Sequence, residues 1–224
     1  MKRIQIALDG PSGAGKSTMA RHVAKTLGIL YLDTGAMYRT VALKGLRAGI
    51  DLTDGEAIGG MLAQTRIDVV YRGDGQRVLL DGEDVSEAIR TNEVSMGASK
   101  VSAHPQVRTR MVALQQEIAG RDSVVMDGRD IGTKVLPHAD IKIFLTASPE
   151  DRAMRRYLEL QEKGMLDRTY EALLEEIRTR DYNDSHRAHS PLMQAEDAIL
   201  LDTTGCGLEE AVAAIMAIIR QKVG

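Results

Sequence analysis

Apolar and polar positions along the chain switch between two periods. Ile4, Ile6 and Leu8 form an apolar run rich in β-branched residues, which predicts a buried strand. From Lys16 to Leu27 the spacing becomes helical, with Met19, Ala20, Val23, Ala24 and Leu27 on one face, and Gly28 ends the helix. Ile29 to Leu32 reads as a second short strand before a helix running to about Ala48. Further strands are predicted at Ser123 to Met126, Asp140 to Leu145 and Ala198 to Leu201. Thr91 to Ala103 is helical but small and polar, and Pro105 opens a stronger helix that Gly120 closes. Ser148-Pro149-Glu150-Asp151 has the chemistry of a helix start: a capping serine, proline at the first position and acids in the first turn. Another helix begins near Thr169, and an amphipathic one spans about Leu208 to Lys222. Strands alternating with helices predict an α/β fold.

One stretch departs from this rhythm. Ile67, Val69 and Tyr71 alternate, a Gly73-Asp74-Gly75 turn follows, and Val78, Leu79 and Leu80 continue, which predicts a hairpin between about Thr65 and Asp84. A hairpin in a strand-helix chain is best explained as an insertion beside the main sheet, of the kind that carries specificity or moves as a lid.

Between the first strand and first helix lies Gly10-Pro11-Ser12-Gly13-Ala14-Gly15-Lys16-Ser17-Thr18, which fits GxxxxGK followed by Ser or Thr. The pattern is short, and its weight comes from the strand before it and the helix after it. Glycines let backbone N–H groups turn inward on phosphates, and the helix start adds the positive end of its dipole. Lys16 then reaches the terminal phosphates of a bound nucleotide, and Ser17 offers its hydroxyl to Mg2+. The alternative is a glycine-rich turn with no ligand.

Composition narrows the partners. The chain has 224 residues, 43% of them hydrophobic, enough for one domain with insertions. A net charge of -3 and an aromatic content of 3% provide neither a cationic footprint nor stacking platforms, so no polynucleotide partner is expected. Cys206 is the only cysteine, which excludes an internal disulfide and a multi-cysteine zinc site and fits a reducing cytoplasm. Gln5 and Asp9 interrupt the N-terminal apolar stretch, so neither a secretory signal nor a membrane span is expected.

Candidate chemistry recurs at strand ends, where open α/β sheets bind ligands. After the second strand come Asp33-Thr34-Gly35-Ala36-Met37-Tyr38-Arg39, in which Thr34 and Arg39 can hold a second substrate, Arg39 through a fork suited to phosphate. The alternative is a helix cap at Asp33 or Thr34 and a solvated Arg39. Ser99 and Arg108 read as exposed helix surface when taken alone. Asp127-Gly128-Arg129-Asp130 ends a further strand, with Asp127 a candidate to support Mg2+ directly or through water. Arg129 and Asp130 can meet the second substrate or merely pair to shape their loop. Arg152, Arg155 and Arg156 share a helical face, and Arg180, Asp181, Asp184 and Arg187 cluster at helical spacing. Two helices joined near Gly164 and presenting these arginines make either a lid over polyphosphate or an ion-pair network that stabilises a helical hairpin.

Taken together, Gly10 to Thr18, Asp33 to Arg39, Asp127 to Thr133 and Arg180 to Arg187 resemble the bacterial cytidylate kinases, nucleoside monophosphate kinases of the P-loop class, over essentially the whole chain. The resemblance implies a three-layer fold with a five-stranded parallel sheet wrapped by helices. It implies a core of about 1–64, 86–150 and 188–224, a hairpin insertion at about 65–85 and a lid at about 151–187. It places the CMP phosphate near Arg39, Arg129 and Arg187, the cytosine near Thr34, Ser99, Arg108 and Asp130, and the ribose hydroxyls at Asp184. Arg152, Arg156 and Arg180 would meet the transferring phosphoryl group. The implied reaction moves the γ-phosphoryl of ATP to CMP or dCMP with Mg2+. The cysteine content fits the cytoplasm, and a monomer is the default expectation. Rival readings are a kinase for UMP, AMP or shikimate, and a GTP-binding switch, although the Asn-Lys-x-Asp segment of the last is absent.

Overall fold

The computed structural model describes residues 3–72 and 75–223, so Gly73 and Asp74 of the expected hairpin turn lie outside the described residues. The chain divides into two compact units, one formed by Met1–Leu30 with Ser123–Gly224 and the other by Tyr31–Asp122.

In the first unit β1 (Gln5–Asp9) leads through the glycine-rich loop into α1 (Lys16–Leu27), which ends in a left-handed C-cap at Gly28; β2 (Leu30–Asp33) follows and carries the chain into the second unit from Tyr31. The chain returns at β6 (Val124–Gly128), β7 (Ile141–Thr146), α6 (Pro149–Glu162), α7 (Tyr170–His186), β8 (Ile199–Asp202) and α8 (Leu208–Val223). The strands form a five-stranded parallel sheet in the order β2-β6-β1-β7-β8. Asp9 stands opposite Gly128 on one side and Phe144 on the other, so the carboxyl ends of the three central strands align. Ile6, Ala7, Leu8, Val124, Val125 and Met126 are fully buried. That is why these strands read as continuous apolar runs: a parallel strand covered on both faces has no polar face to alternate with. α1 contributes Met19, Ala20 and Val23 to this core and touches α8, which contributes Ile215 and Ile219.

The second unit contains α2 (Thr34–Arg47), α3 (Gly55–Ala63), β3 (Ile67–Arg72), β4 (Gly75–Leu80), β5 (Glu83–Asp84), α4 (Asn92–Val101) and α5 (Pro105–Ala119). β3 and β4 are antiparallel from Ile67 opposite Leu80 to Arg72 opposite Gly75, and with β5 they make a separate three-stranded sheet. The small residues of α4 have a purpose in packing: a methyl added at Gly97 would sit 2.7 Å from Leu52 and 3.1 Å from Ala42 of α2. α3 has no counterpart in the sequence reading. Three of its nine residues are glycine, each weakening the helical preference by about 1 kcal/mol relative to alanine. The helix is secured instead by Asp54, which accepts a hydrogen bond from Ala57 N at 3.0 Å, and by the burial of Ile58 and Leu62.

No helix among the described residues is long and apolar enough to cross a membrane.

Candidate active site

The glycine-rich loop starts at the buried carboxyl end of β1. Gly10 has φ +145° and Gly15 φ +88°, and α1 begins at Lys16 without a side-chain cap, leaving its first N–H groups to a ligand. Lys16 is only 6% exposed and its Nζ donates to Pro11 O at 2.7 Å. Burial, reinforced by the Arg129 guanidinium, pushes the Lys16 ammonium down to about 7, against the pull of Asp127, Asp184 and Asp9.

Ser17 Oγ donates to Asp127 Oδ2 at 2.7 Å. The expected partners at the loop and at the end of β6 thus meet, although they lie 110 residues apart in sequence. Hydroxyl and carboxylate oxygens are the ligand chemistry of a hard divalent cation such as Mg2+.

Just beyond β6, Arg129 Nε donates to Asp184 Oδ2 at 2.7 Å, and Arg187 Nη1 lies 3.9 Å from Asp184 Oδ1. Burial alone would raise the Asp184 carboxyl, but the guanidinium groups of Arg129, Arg187 and Arg180 hold it below the usual carboxylate range. Arg129 is therefore anchored across the unit rather than to its neighbour Asp130, which is itself buried.

Asp9, which no motif in the sequence marks, organises the turn beyond β6. It is 5% exposed, and its two carboxylate oxygens accept from Ile131 N at 2.8 Å and Gly132 N at 2.7 Å. Those bonds hold a π-helical turn at Ile131–Val135 directly after Asp130. Burial pushes the Asp9 carboxyl up to about 6, although both N–H groups act in the opposite direction. Its sequence signal is a lone acid closing an apolar strand immediately before Gly10.

The arginines of α6 have separate fates. Arg152 is 3% exposed and donates to Ala147 O, Ser12 O and both oxygens of Asp181. Arg155 donates to Thr203 O at 2.6 Å, and exposed Arg156 to Glu159 at 2.9 Å. Arg180 lies on α7 and acts electrostatically on Asp184. A cavity of about 460 Å³ opens beside the loop, lined in part by Pro11, Ala147, Arg152, Asp181, Asp202 and Thr204.

In the second unit Asp33 caps α2 by accepting from Ala36 N at 2.9 Å and uses its other oxygen to accept from Arg39 Nη2 at 2.8 Å. One carboxylate thus both caps the helix, as one sequence alternative has it, and pairs with Arg39. Thr34 is buried at the first position of α2, and Ser99 is half-buried on α4. Arg108 is not exposed helix surface. It is 5% exposed, donates to Ser102 O at 3.3 Å and lies 5.6 Å from the centre of the Tyr38 ring.

The model of the family described as cytidylate kinase matches residues 6–221. The chain is 54% identical over 222 residues to a cytidylate kinase of Desulfitobacterium hafniense (strain Y51), covering 99% of this chain and 95% of that one. It is 50% identical over 222 residues to a cytidylate kinase of Ligilactobacillus salivarius (strain UCC118), covering 99% of each. Among solved structures, an uncharacterized protein from Eubacterium ventriosum ATCC 27560 shares the fold at TM-score 0.54 and 14% identity, over 98% of this chain and 99% of that one. With the paired loop and β6 carboxylate in place and the match running through both units, the chain belongs to the cytidylate kinase family.

Proposed function

We propose that the protein transfers the γ-phosphoryl group of ATP to CMP or dCMP, giving ADP and CDP or dCDP. The observation that carries this reading is a pair of cationic centres in one unit. Lys16 lies in the phosphate loop and Arg129, with Arg187, is organised on Asp184, near enough to Lys16 to depress its ammonium. Two such centres suit two phosphate-bearing substrates.

On this reading the loop from Gly10 to Thr18 receives the ATP phosphates, and the cavity beside Pro11 takes its nucleoside, a volume within the range of small-ligand sites. The oxygen donors Ser17 and Asp127 fit Mg2+, held by Asp127 directly or through water; bound with ATP, the ion neutralises phosphate charge. Arg39, Arg129 and Arg187 are assigned to the CMP phosphate and Asp184 to the ribose hydroxyls. Thr34, Ser99, Arg108 and Asp130 are assigned to the cytosine.

The attacking atom is a CMP phosphate oxygen, already ionised at neutral pH, so no general base is required. The chain's contribution is to align donor and acceptor and to offset charge on a loose transition state through Lys16, Arg129, Arg156 and Arg180. Water competes for the phosphoryl group, which gives α6 and α7 a reason to close over both substrates. Cytosine offers an N4 donor to Asp130, where uracil presents an oxygen. An unpaired buried polar group costs about 1–3 kcal/mol, which supports discrimination against UMP.

The enzyme is further proposed to act as a cytoplasmic monomer. The deciding experiment follows ADP release with ATP and Mg2+ against CMP, dCMP, UMP, AMP, GMP and shikimate. CMP and dCMP should have the highest kcat/KM, and a preference for any other acceptor overturns the reading.

A further inference from the structure

We infer that Arg152 is a positioning residue of the phosphate loop, aimed by Asp181 of α7, and not a ligand of the transferring phosphoryl group. This deepens the proposed reaction and rests on the loop's binding ATP. A guanidinium has five N–H donors, and the protein already occupies four of them. Nε donates to Ala147 O at 2.8 Å, Nη1 to Ser12 O at 2.9 Å and to Asp181 Oδ1 at 3.0 Å, and Nη2 to Asp181 Oδ2 at 2.5 Å. Arg152 also begins its helix firmly, since its N–H donates to Ser148 O at 3.1 Å. Offering a phosphoryl oxygen more than the one remaining Nη2 N–H would require a buried group to abandon a bidentate carboxylate.

The bond to Ser12 explains what this arrangement does. Ser12 C=O and Gly13 N–H share one planar trans peptide and point in opposite directions. Holding the carbonyl outward against Arg152 aims the Gly13 N–H inward, where a phosphate-binding loop needs its donors. Gly13 packs directly on the same side chain: a methyl added there would sit 3.2 Å from Arg152 Cβ. Gly13, at φ +76°, has little conformational stiffness of its own, so an external tether is needed to set that peptide plane. Asp181 supplies the second constraint. It fixes the guanidinium in its own plane and belongs to the helix that also carries Arg180 and Asp184, so the loop and that helix are mechanically joined through one side chain.

The test compares Arg152→Lys, Asp181→Asn and the double variant with the wild type. Affinities for imidotriphosphate, a non-hydrolysable triphosphate analogue with no nucleoside to enter the cavity that Arg152 and Asp181 line, and for CMP are measured by calorimetry, and KM and kcat by coupled ADP release. Lysine cannot make the bidentate pair, and asparagine turns one acceptor into a donor facing Nη2. Each single variant should weaken analogue binding and raise KM for ATP by roughly tenfold, the scale of one charge-assisted hydrogen bond. Affinity for CMP and kcat at saturating ATP should stay within about threefold of the wild type, a shift small beside the loss of such a bond. The double variant should be no worse than Arg152→Lys.

Unchanged analogue affinity in Asp181→Asn overturns the inference. So does a fall in kcat in Arg152→Lys with ATP binding intact, which would assign Arg152 to the phosphoryl group itself. If Arg152→Lys does not fold, Asp181→Asn carries the test alone, since the Asp181 side chain is 25% exposed and tolerates an amide. Wild-type protein that binds the analogue but phosphorylates none of the acceptors refutes the proposed reaction and leaves this inference intact, because the binding comparison needs no turnover.

Discussion

Replacing Gly10 with alanine tests the geometry on which the phosphate loop depends. A Cβ at Gly10 would lie 1.9 Å from Leu145 O and 3.0 Å from Leu145 C, where an ordinary contact exceeds 3.4 Å. The obstacle is backbone and cannot rotate away. Either the loop or β7 must move by more than about 1 Å, at a point where Asp9 is in register with Phe144, so the last rungs between the strands are lost. Such overpacking costs about 1–3 kcal/mol. The alanine must also adopt φ +145°, a conformation side chains rarely take, adding about 1–3 kcal/mol of backbone strain. Gly15→Ala is the internal control: its φ is +88° but nothing lies within 4 Å of the added methyl, so it incurs the strain alone. The structure therefore predicts that Gly10→Ala is less stable than Gly15→Ala by about 1–3 kcal/mol, the overpacking contribution. With a urea m-value of about 2 kcal/mol/M, that separates their midpoints by roughly 0.5–1.5 M. Equal midpoints would refute the clash as the cause.

Three further outcomes follow from the site. Asp9 is protonated in both folded and unfolded states below about 3.8, and raising the pH through about 6 ionises it in a buried setting. The folded protein should then lose about 3 kcal/mol that Asp9→Asn does not, and superimposable pH–stability slopes for the two proteins would contradict the burial argument. Asp130→Ala should lower the preference for CMP over UMP by about 10- to 100-fold, the loss of one buried polar pairing; an equal fall in kcat/KM for both acceptors removes Asp130 from base reading. Lys16→Ala should depress kcat far more than CMP affinity, because the lysine serves ATP and the transition state. Loss of CMP affinity with turnover preserved would place Lys16 on the wrong substrate.

Local chemistry made most of the elements readable. The runs at Ile6 to Leu8 and Val124 to Met126 announce strands covered on both faces, and the structure buries all six side chains. Asp151 N donates to Ser148 Oγ at 3.1 Å, as the cap chemistry of the sequence requires. α3 was not legible because its glycines weaken the local preference, and only packing restores it. The π-helical turn after Asp130 was not legible either, since it hangs on a carboxylate 122 residues away.

The sequence by itself determined the strand-helix alternation, the caps, the phosphate loop and the residue types gathered around it. Each rests on neighbours within a few positions, where spacing and chemistry decide the outcome. Only the tertiary structure decided which polar groups pair. Arg152, Arg155 and Arg156 share a helical face, yet one holds Ser12 and Asp181, the next the Thr203 carbonyl, and the last, itself exposed, Glu159. Arg108 reads as a surface charge and is buried over Tyr38. Partners 29 and 140 residues from Arg152 leave no periodicity for the chain to display, and burial sets their geometry because a buried donor must find an acceptor wherever the fold places one.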